Sequence, residues 1–315
     1  MNSHCELCGS SQKHILFQGR DWLHGLPVQG QVLQCGQCGL IYLWPRPLRP
    51  LDSYPEDYGP HMGRQESADI GYSAGHRGSV LRKARLANQY KPGVLLDMGC
   101  ADGEFLAAVS SLGDRPVLGM DLNGNAVRRA RQHFGLDVWV GNVPGLPLPD
   151  ESVRVATLWH VLEHLPDPVA ALRDIGRTLA PDGVLVVACP MADSWEAKLF
   201  GRYWSGYDVP RHLFSFSRQT LPRLLRDVGF DAHEALHIVQ GYNSAKISSS
   251  FWLQRIPFFR REPGLLRQAA APMGAAFAVA SELLSRVFGN RRSIAVYLAH
   301  KRLPASQGSD QASVS

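Results

Sequence analysis

From residue 93 onward the hydrophobic pattern switches repeatedly between two periods. Short apolar runs recur at "VLLDMG" (94–99), "PVLGMDL" (116–122), "DVWVG" (137–141), "VRVATLWH" (153–160) and "VLVVACP" (184–190). Runs of this length, bounded by Gly, Pro and Asp, read as buried strands. Between them the apolar positions fall at helical spacing, in "FLAAV" (105–109), "NAVRRARQHFG" (125–135) and "PVAALRDIGRTLA" (168–180), the last stopped by "PDG". "SRQTLPRLLRDVGF" (217–230) predicts another helix, opened by the hydroxyl of Ser217. "SVLRKARLANQY" (79–90) predicts a leading helix, and 231–240 and 293–300 two closing strands. Strand and helix in alternation predict an α/β fold, a doubly wound, mostly parallel seven-stranded sheet with helices on both faces.

Outside this stretch the pattern changes. Residues 1–50 are punctuated by Cys, Gly and Pro, with strand-like pieces "QVLQC" and "LIYLW". Residues 51–90 read as a turn-rich, aromatic linker or lid followed by the leading helix. The alternating domain then runs over 91–301, with a helical insert at about 242–292 holding helices over Trp252–Arg260 and Ala271–Phe288. The polar tail 302–315 reads as disordered.

Composition narrows the class. The chain has 315 residues, 45% of them hydrophobic, enough for one large core. The net charge of +5 comes from scattered Arg and Lys, without the stripe that nucleic acid requires. "MNSHCELCGS" lacks the apolar segment of a signal peptide, and no apolar run reaches the length of a membrane span. A cytoplasmic protein is therefore expected. The basic, Phe- and Trp-rich insert (251–292) adds a peripheral contact with the inner membrane surface as an alternative to packing on the sheet or a second subunit. Oligomeric state is not legible.

The loop after the first of these strands carries the first chemistry. It reads Asp97, then Gly99, Cys100, Ala101, Asp102, Gly103, Glu104. A dinucleotide loop places a pyrophosphate on the helix N-terminus. Here acids crowd the turn and would repel it, while a ligand carrying a sulfonium and an ammonium would be attracted. The next strand ends in Asp121, placed to accept hydrogen bonds from a ribose diol. Small residues, acids for a cation and an acid for the ribose point to S-adenosylmethionine.

With these pieces the chain resembles class I S-adenosylmethionine-dependent methyltransferases. The matching stretches are "LLDMGCADGEFL", "GMDLN", "LPLPDESVRVATLWHVLEHLPDP", "LAPDGVLVVACP" and "LLRDVGF", with "SIAVYLAHK" as the closing antiparallel strand. Ala101 replaces the middle glycine, and Arg154 stands where the family usually has Asp. The resemblance implies cofactor contacts from Asp97, Gly99, Cys100, Ala101, Asp102, Gly103, Asp121, Leu122, Asn142, Val143 and His160.

Two segments offer a base. "LWHVLEHLPDP" holds His160, Glu163 and His164, which share one face if a helical turn begins there. It resembles the "ExxEH" metal-binding element of the ubiquinone-pathway and small-RNA end methyltransferases, with His160 in place of the first Glu. The competing reading has Glu163 and His164 bracing the loop while His160 lines the cofactor pocket. "YWSGYDVPRHLFSFS" (203–217) brings Tyr207, Asp208, Arg211 and His212, a set able to stack on a sugar and bond its hydroxyls. His212 is the first choice for general base, against the alternative that it only pins the loop.

The cysteines form two C-x₂-C pairs, Cys5/Cys8 and Cys35/Cys38, each followed by Gly. Two such knuckles surround one structural tetrahedral zinc, leaving no place for a catalytic water. Free thiols or a redox pair are the alternatives. The same arrangement, "C-x₂-C…C-x₂-CG…P-x-P", resembles a sugar- and cell-surface-polysaccharide-modifying subfamily of methyltransferases. By that resemblance "SYPEDYGPH" (53–61) is a lid, placing Tyr54, Tyr58 and His61 near the substrate. The expected acceptor is a hydroxyl or carbon of a sugar or saccharide-containing metabolite. A phenolic or quinone-like acceptor, a zinc-ribbon RNA modifier and a non-catalytic scaffold are the alternatives.

Overall fold

The structure, a computed structural model, describes residues 4–47, 53–54, 74–235 and 242–302. Two sheets organise the described residues. The smaller is built from β1 (Lys13–Gln18), β2 (Gln31–Cys35) and β3 (Ile41–Trp44), all antiparallel. The larger begins after α1 (Ala74–Asn88) and contains β4 (Leu95–Met98), β5 (Val117–Asp121), β6 (Asp137–Val140), β7 (Val153–Trp159), β8 (Leu179–Pro190), β10 (Phe230–Ala235) and β11 (Ile294–Lys301). Its order is β10-β11-β8-β7-β4-β5-β6, parallel except for β11, which runs antiparallel to both neighbours. The expected seven-stranded sheet is present, with the chain reversing direction between β4-β5-β6 and β7-β8. Ligands of such sheets bind at the carboxyl ends beside that switch point.

The helices follow the pattern with shifted ends. α2 (Glu104–Ser111), α3 (Gly124–Phe134), α4 (Pro168–Thr178) and α6 (Thr220–Asp227) begin and end within three residues of the predicted bounds. Asn123 caps α3 by accepting from the amides of Asn125 and Ala126, and Asp167 caps α4 through the amide of Ala170. α6 starts later than expected because Ser217 and Thr220 bond each other's amides in a turn first. β8 starts earlier: Leu179 pairs with Val153 and Val184 with Val155, so Pro181, Asp182 and Gly183 bulge out of an already begun strand.

The helical insert is three helices rather than two, α7 (Tyr242–Leu253), α8 (Pro257–Arg261) and α9 (Pro263–Val287). The predicted helix over 252–260 is broken before Pro257, whose ring cannot continue a helix but suits its first turn. Short helix α5 (Trp195–Phe200) anchors this insert. Its buried Glu196 accepts hydroxyls from Ser244 and Ser248 of α7 and from Ser293 just before β11.

The N-terminal block is joined to the larger domain by strand pairing and by packing. β9 (Phe214–Ser215), from the loop before α6, completes the small sheet as β1-β2-β3-β9. One apolar cluster also runs from Val32, Leu33 and Leu43 through Phe214 and Phe216 to Leu158 and Val187. Tyr58, His61 and the tail from 303 lie outside the described residues.

Candidate functional site

The turn between β4 and α2 is shaped by three left-handed residues, Gly99, Ala101 and Gly103, at φ 74, 48 and 84. At Gly99 a Cβ would stand 2.5 Å from Val161, and at Gly103 2.5 Å from Leu136, so neither position admits a side chain. Ala101 holds its strained conformation because its amide donates to Asp121 Oδ2 at 2.9 Å. Asp121 Oδ1 accepts the amide of Asn123 at 2.8 Å. A carboxylate has about four acceptor positions, so two stay open for a ribose diol. The amide of Gly141 donates to the Asp121 carbonyl, which brings the Gly141–Val143 turn to the same edge. There Asn142 and Leu122 are exposed and Val143 is buried. The cradle fits S-adenosylmethionine.

Two loop residues take other roles than expected. Cys100 turns its thiol into the core against Gly119, and its amide and that of Gly99 both donate to the Met120 carbonyl. It has no side chain to offer a ligand. Glu104 gives its charge to His76 of α1, at 2.7 Å. Asp97 lies beneath the turn and accepts the hydroxyl of Thr157. Burial pushes its carboxyl up to about 7. Asp102 is half-buried on the turn itself. The substitution at Arg154 lies away from this edge: it pairs with Asp182 near the start of β7.

One cation reaches the cleft that the pattern did not single out. Lys83 of α1 places its ammonium 4.7 Å from the ring centre of Trp159, the last residue of β7. The helix pattern of 79–90 gave no sign of which basic residue turns inward.

His160, Glu163 and His164 follow β7. The turn begins at Leu162 and is a 3₁₀ turn, so His160 stands before it, at φ 60. Its Nδ1 still lies 3.5 Å from Glu163 Oε1. Glu163 is buried, and Oε2 accepts the Cys189 thiol while Oε1 makes no hydrogen bond. Burial alone would raise this carboxyl, but His160, His212 and His164 around it outweigh that and hold it at about 2. His164 is driven the other way, down to about 4, by burial and the neighbouring His212. Its Nδ1 faces the Tyr54 hydroxyl at 2.7 Å and the Arg211 carbonyl at 3.1 Å.

His212 stands edge-on to His164, ring centres 4.5 Å apart. Its Nδ1 lies 2.8 Å from the Gly206 carbonyl. A carbonyl only accepts, so in the neutral ring Nδ1 carries the hydrogen and Nε2 keeps the lone pair. One donor atom from each of Glu163, His164 and His212 falls within 4.8 Å of the others, a set also able to hold a divalent cation.

Arg211 and Asp208 are corrected. The Arg211 side chain is fully buried and bonds Asp208, Asp21 and the Ser53 carbonyl. Asp208 is bound to it through both oxygens. Neither is open to a substrate. Together they tie the acceptor loop to the N-terminal block and set the Arg211 carbonyl against His164. Tyr207 is likewise packed between Phe17 and Trp204, at 5.0 and 5.1 Å.

The four N-terminal sulfurs converge, Cys5 with Cys38 at 3.4 Å and Cys8 with Cys35 at 3.6 Å, all without disulfides. Zinc–sulfur bonds of about 2.3 Å in a tetrahedron put sulfurs about 3.8 Å apart, so the donor set fits zinc. Gly9 and Gly39 close the knuckles in the left-handed region, at φ 71 and 79. Burial raises the Cys35 thiol, but the amides of Cys38 and Gln37 and the neighbouring sulfurs outweigh it and bring it down to about 7.

A protein-family model described as a methyltransferase domain matches residues 76–235. A probable S-adenosylmethionine-dependent methyltransferase of Mycolicibacterium smegmatis is 28% identical over 169 residues, covering 52% of this chain and 62% of that protein. A malonyl-[acyl-carrier protein] O-methyltransferase of Yersinia pestis is 29% identical, over 48% of this chain and 54% of that protein. The chain thus spans between half and two thirds of the length of these relatives. A solved chain from the Haloferax volcanii complex of a methyltransferase activator with a putative methyltransferase overlays with a TM-score of 0.52 at 17% identity. It covers 76% of this chain and 94% of that one, a likeness of fold alone.

Proposed function

The chain belongs to the methyltransferase-domain family, and on that premise we propose that it methylates an oxygen of a small-molecule acceptor with S-adenosylmethionine as donor. The observation that carries the reading is His212, whose Nδ1 is held by the Gly206 carbonyl so that Nε2 is left as a base. S-adenosylmethionine, when bound, supplies an activated methyl carbon. His212 takes the acceptor's proton as the O–CH₃ bond forms and the sulfonium becomes a neutral thioether. Tyr54 and the Arg211 carbonyl orient His164 beside it. Asp121 holds the ribose, and the Asp97–Asp102 turn faces the cationic end of the donor. A saccharide hydroxyl is the first acceptor class to test and a phenolic hydroxyl the second. Release of S-adenosylhomocysteine against panels of both decides. Turnover only on carbon or nitrogen acceptors overturns the O-methylation reading.

A second reading makes Glu163, His164 and His212 ligands of a divalent cation, favoured by the unbonded Glu163 Oε1. Calorimetric titration of the protein with magnesium or manganese separates it from the base reading. Zinc on Cys5, Cys8, Cys35 and Cys38 is proposed as structural. The helical insert is proposed as a peripheral contact for an anionic membrane. It carries eight Lys and Arg residues against Glu262 and Glu282, and Phe258, Val279, Leu283, Val287 and Phe288 are exposed on it. No helix among the described residues is long and apolar enough to cross a membrane. Co-sedimentation with anionic but not zwitterionic vesicles is expected.

A further inference from the structure

We infer that Ser205 is a positioning residue for the proposed base: held by Ser244 and Ser248 of the helical insert, it aims the Gly206 carbonyl at His212 Nδ1. This rests on the His212 reading above and adds to it a contribution from the insert.

Gly206 sits in the middle of a 3₁₀ turn, Ser205–Tyr207. The carbonyls of Trp204 and Ser205 accept the amides of Tyr207 and Asp208, and that of Gly206 lies 2.8 Å from His212 Nδ1. Whatever tilts this carbonyl decides whether the neutral ring carries its hydrogen on Nδ1 or on Nε2, and so which nitrogen is left as a base. Gly206 has no side chain to hold itself in place. A Cβ there would stand 2.2 Å from the buried Trp204 ring, so the indole lies directly against it. The ring bounds the turn, and Ser205 supplies its polar anchor.

Ser205 is anchored at two atoms. Its amide donates to Ser248 Oγ at 3.0 Å, and its hydroxyl lies 2.9 Å from Ser244 Oγ, with the Ser244 carbonyl 3.1 Å away as a second acceptor. Ser244 and Ser248 are four residues apart on α7 and share one face of it. Serine is a weak helix former because its hydroxyl competes for backbone groups. Here both hydroxyls leave their helix to serve another segment. Glu196 sets their direction, its Oε1 lying 2.6 Å from Ser244 Oγ and 2.8 Å from Ser248 Oγ. A carboxylate oxygen only accepts, so each serine spends its one hydrogen on Glu196 and keeps its oxygen as an acceptor. For Ser248 that contact is shorter than its 3.2 Å approach to Ser205 Oγ. Ser205 is thus the donor to both, by N–H to Ser248 and by O–H to Ser244. The donors run one way, from Ser205 to Glu196, which fixes the peptide that carries the Gly206 carbonyl.

Long-range proton–nitrogen NMR correlation spectra of His212 test this without any acceptor. Wild-type protein is expected to hold the hydrogen of the neutral ring on Nδ1. Ser248→Ala strands the Ser205 amide and should leave a mixture of the two tautomers. Its kcat on an acceptor of the wild type should fall about 10- to 100-fold, the cost of a slightly misplaced catalytic group. KM and affinity for S-adenosylhomocysteine should change less than about threefold. Ser205 is half-buried, and Ser205→Ala should shift the tautomer in the same direction. Ser205→Thr, which keeps the hydroxyl, should return it to Nδ1. Should Ser248→Ala fail to fold by circular dichroism, the two Ser205 variants decide alone. Folded alanine variants that keep the wild-type tautomer overturn the positioning role, whatever their kcat. Equal shifts in Ser205→Thr and Ser205→Ala overturn it too, since packing rather than the hydroxyl would then hold the turn. Wild-type protein with the hydrogen on Nε2 overturns the base reading itself, and the positioning role with it.

Discussion

At the scale of single residues, the site is governed by which polar atoms are already used. Arg211 has the residue types around it of a substrate-binding group, yet every direction of its guanidinium is taken by Asp21, Asp208 and the Ser53 carbonyl. His212 keeps one nitrogen unspent. His212→Ala should therefore lower kcat about 10²- to 10⁴-fold while leaving affinity for S-adenosylhomocysteine nearly unchanged, measured by turnover and calorimetry on the same preparation. Full activity of that variant on any acceptor would refute the base. Asp97 supports a prediction on stability. Its carboxyl titrates near 7 in the fold against an ordinary value near 3.8. Between those values the native state holds a proton that the unfolded state has lost, so this group's contribution falls as pH rises from about 4 to 7. Asp97→Asn should flatten that part of the pH profile of thermal unfolding, and an unaltered profile would show that the group titrates normally. Such outcomes were only half legible in the sequence. Asp121 and the three small turn residues announce themselves by spacing. The inward turn of Cys100, the burial of Arg211 and the reach of Lys83 depend on neighbours from other elements.

At the scale of elements, the parallel strands were readable because each is an apolar run closed by turn residues, and β4, β5, β6, β7 and β8 fall where those runs lie. The ends of elements were less readable, since capping and bulging are decided locally. Ser217 and Thr220 delay α6 by bonding each other's amides, and Pro181–Gly183 bulge from β8 instead of preceding it. The two-residue β9 is too short to show a period, and β1, exposed along nearly its whole length, carries no alternation of buried and exposed positions. The insert was misjudged because Pro257 was passed over as a helix start. What fixes the insert is a buried acid. Glu196 of α5 accepts hydroxyls from Ser244, Ser248 and Ser293, joining α7 and the residue just before β11. Burial raises its carboxyl, and the three hydroxyls only partly offset this. Glu196→Ala strands those hydroxyls and should destabilise the protein by about 2–4 kcal/mol. Glu196→Gln, which keeps an acceptor, should cost less. Chemical denaturation ranks the two, and equal losses would mean that packing alone holds the insert.

At the scale of the whole molecule, the N-terminal block behaves as part of the catalytic domain rather than as an appendage. Its sheet borrows β9 from the segment that follows His212, and Leu43 donates its amide to the Leu213 carbonyl. Asp21 holds Arg211, whose carbonyl faces His164. A change in the cysteine knuckles therefore has a physical route to the proposed base. The route passes through β2 and β3, which extend from Cys35 and from just after Cys38, and then to Leu213 and His212. If zinc fixes the knuckles, removing it frees Cys5, Cys8, Cys35 and Cys38 to repel or reorient. The strands they anchor then lose the apolar contacts of Val32, Leu33 and Leu43. Metal analysis should find one zinc per chain, and Cys35→Ser should lower that content. The same variant should melt roughly 10 °C lower or more, the shift expected for losing a few kcal/mol in a domain of this size. It should also lose methyltransferase turnover even though no cysteine of the cluster lies among the cofactor or base residues. Unchanged zinc content in Cys35→Ser would remove the metal assignment. Zinc loss with full activity would instead break the proposed link from the knuckles to His212, leaving the block a cover whose order the base does not need.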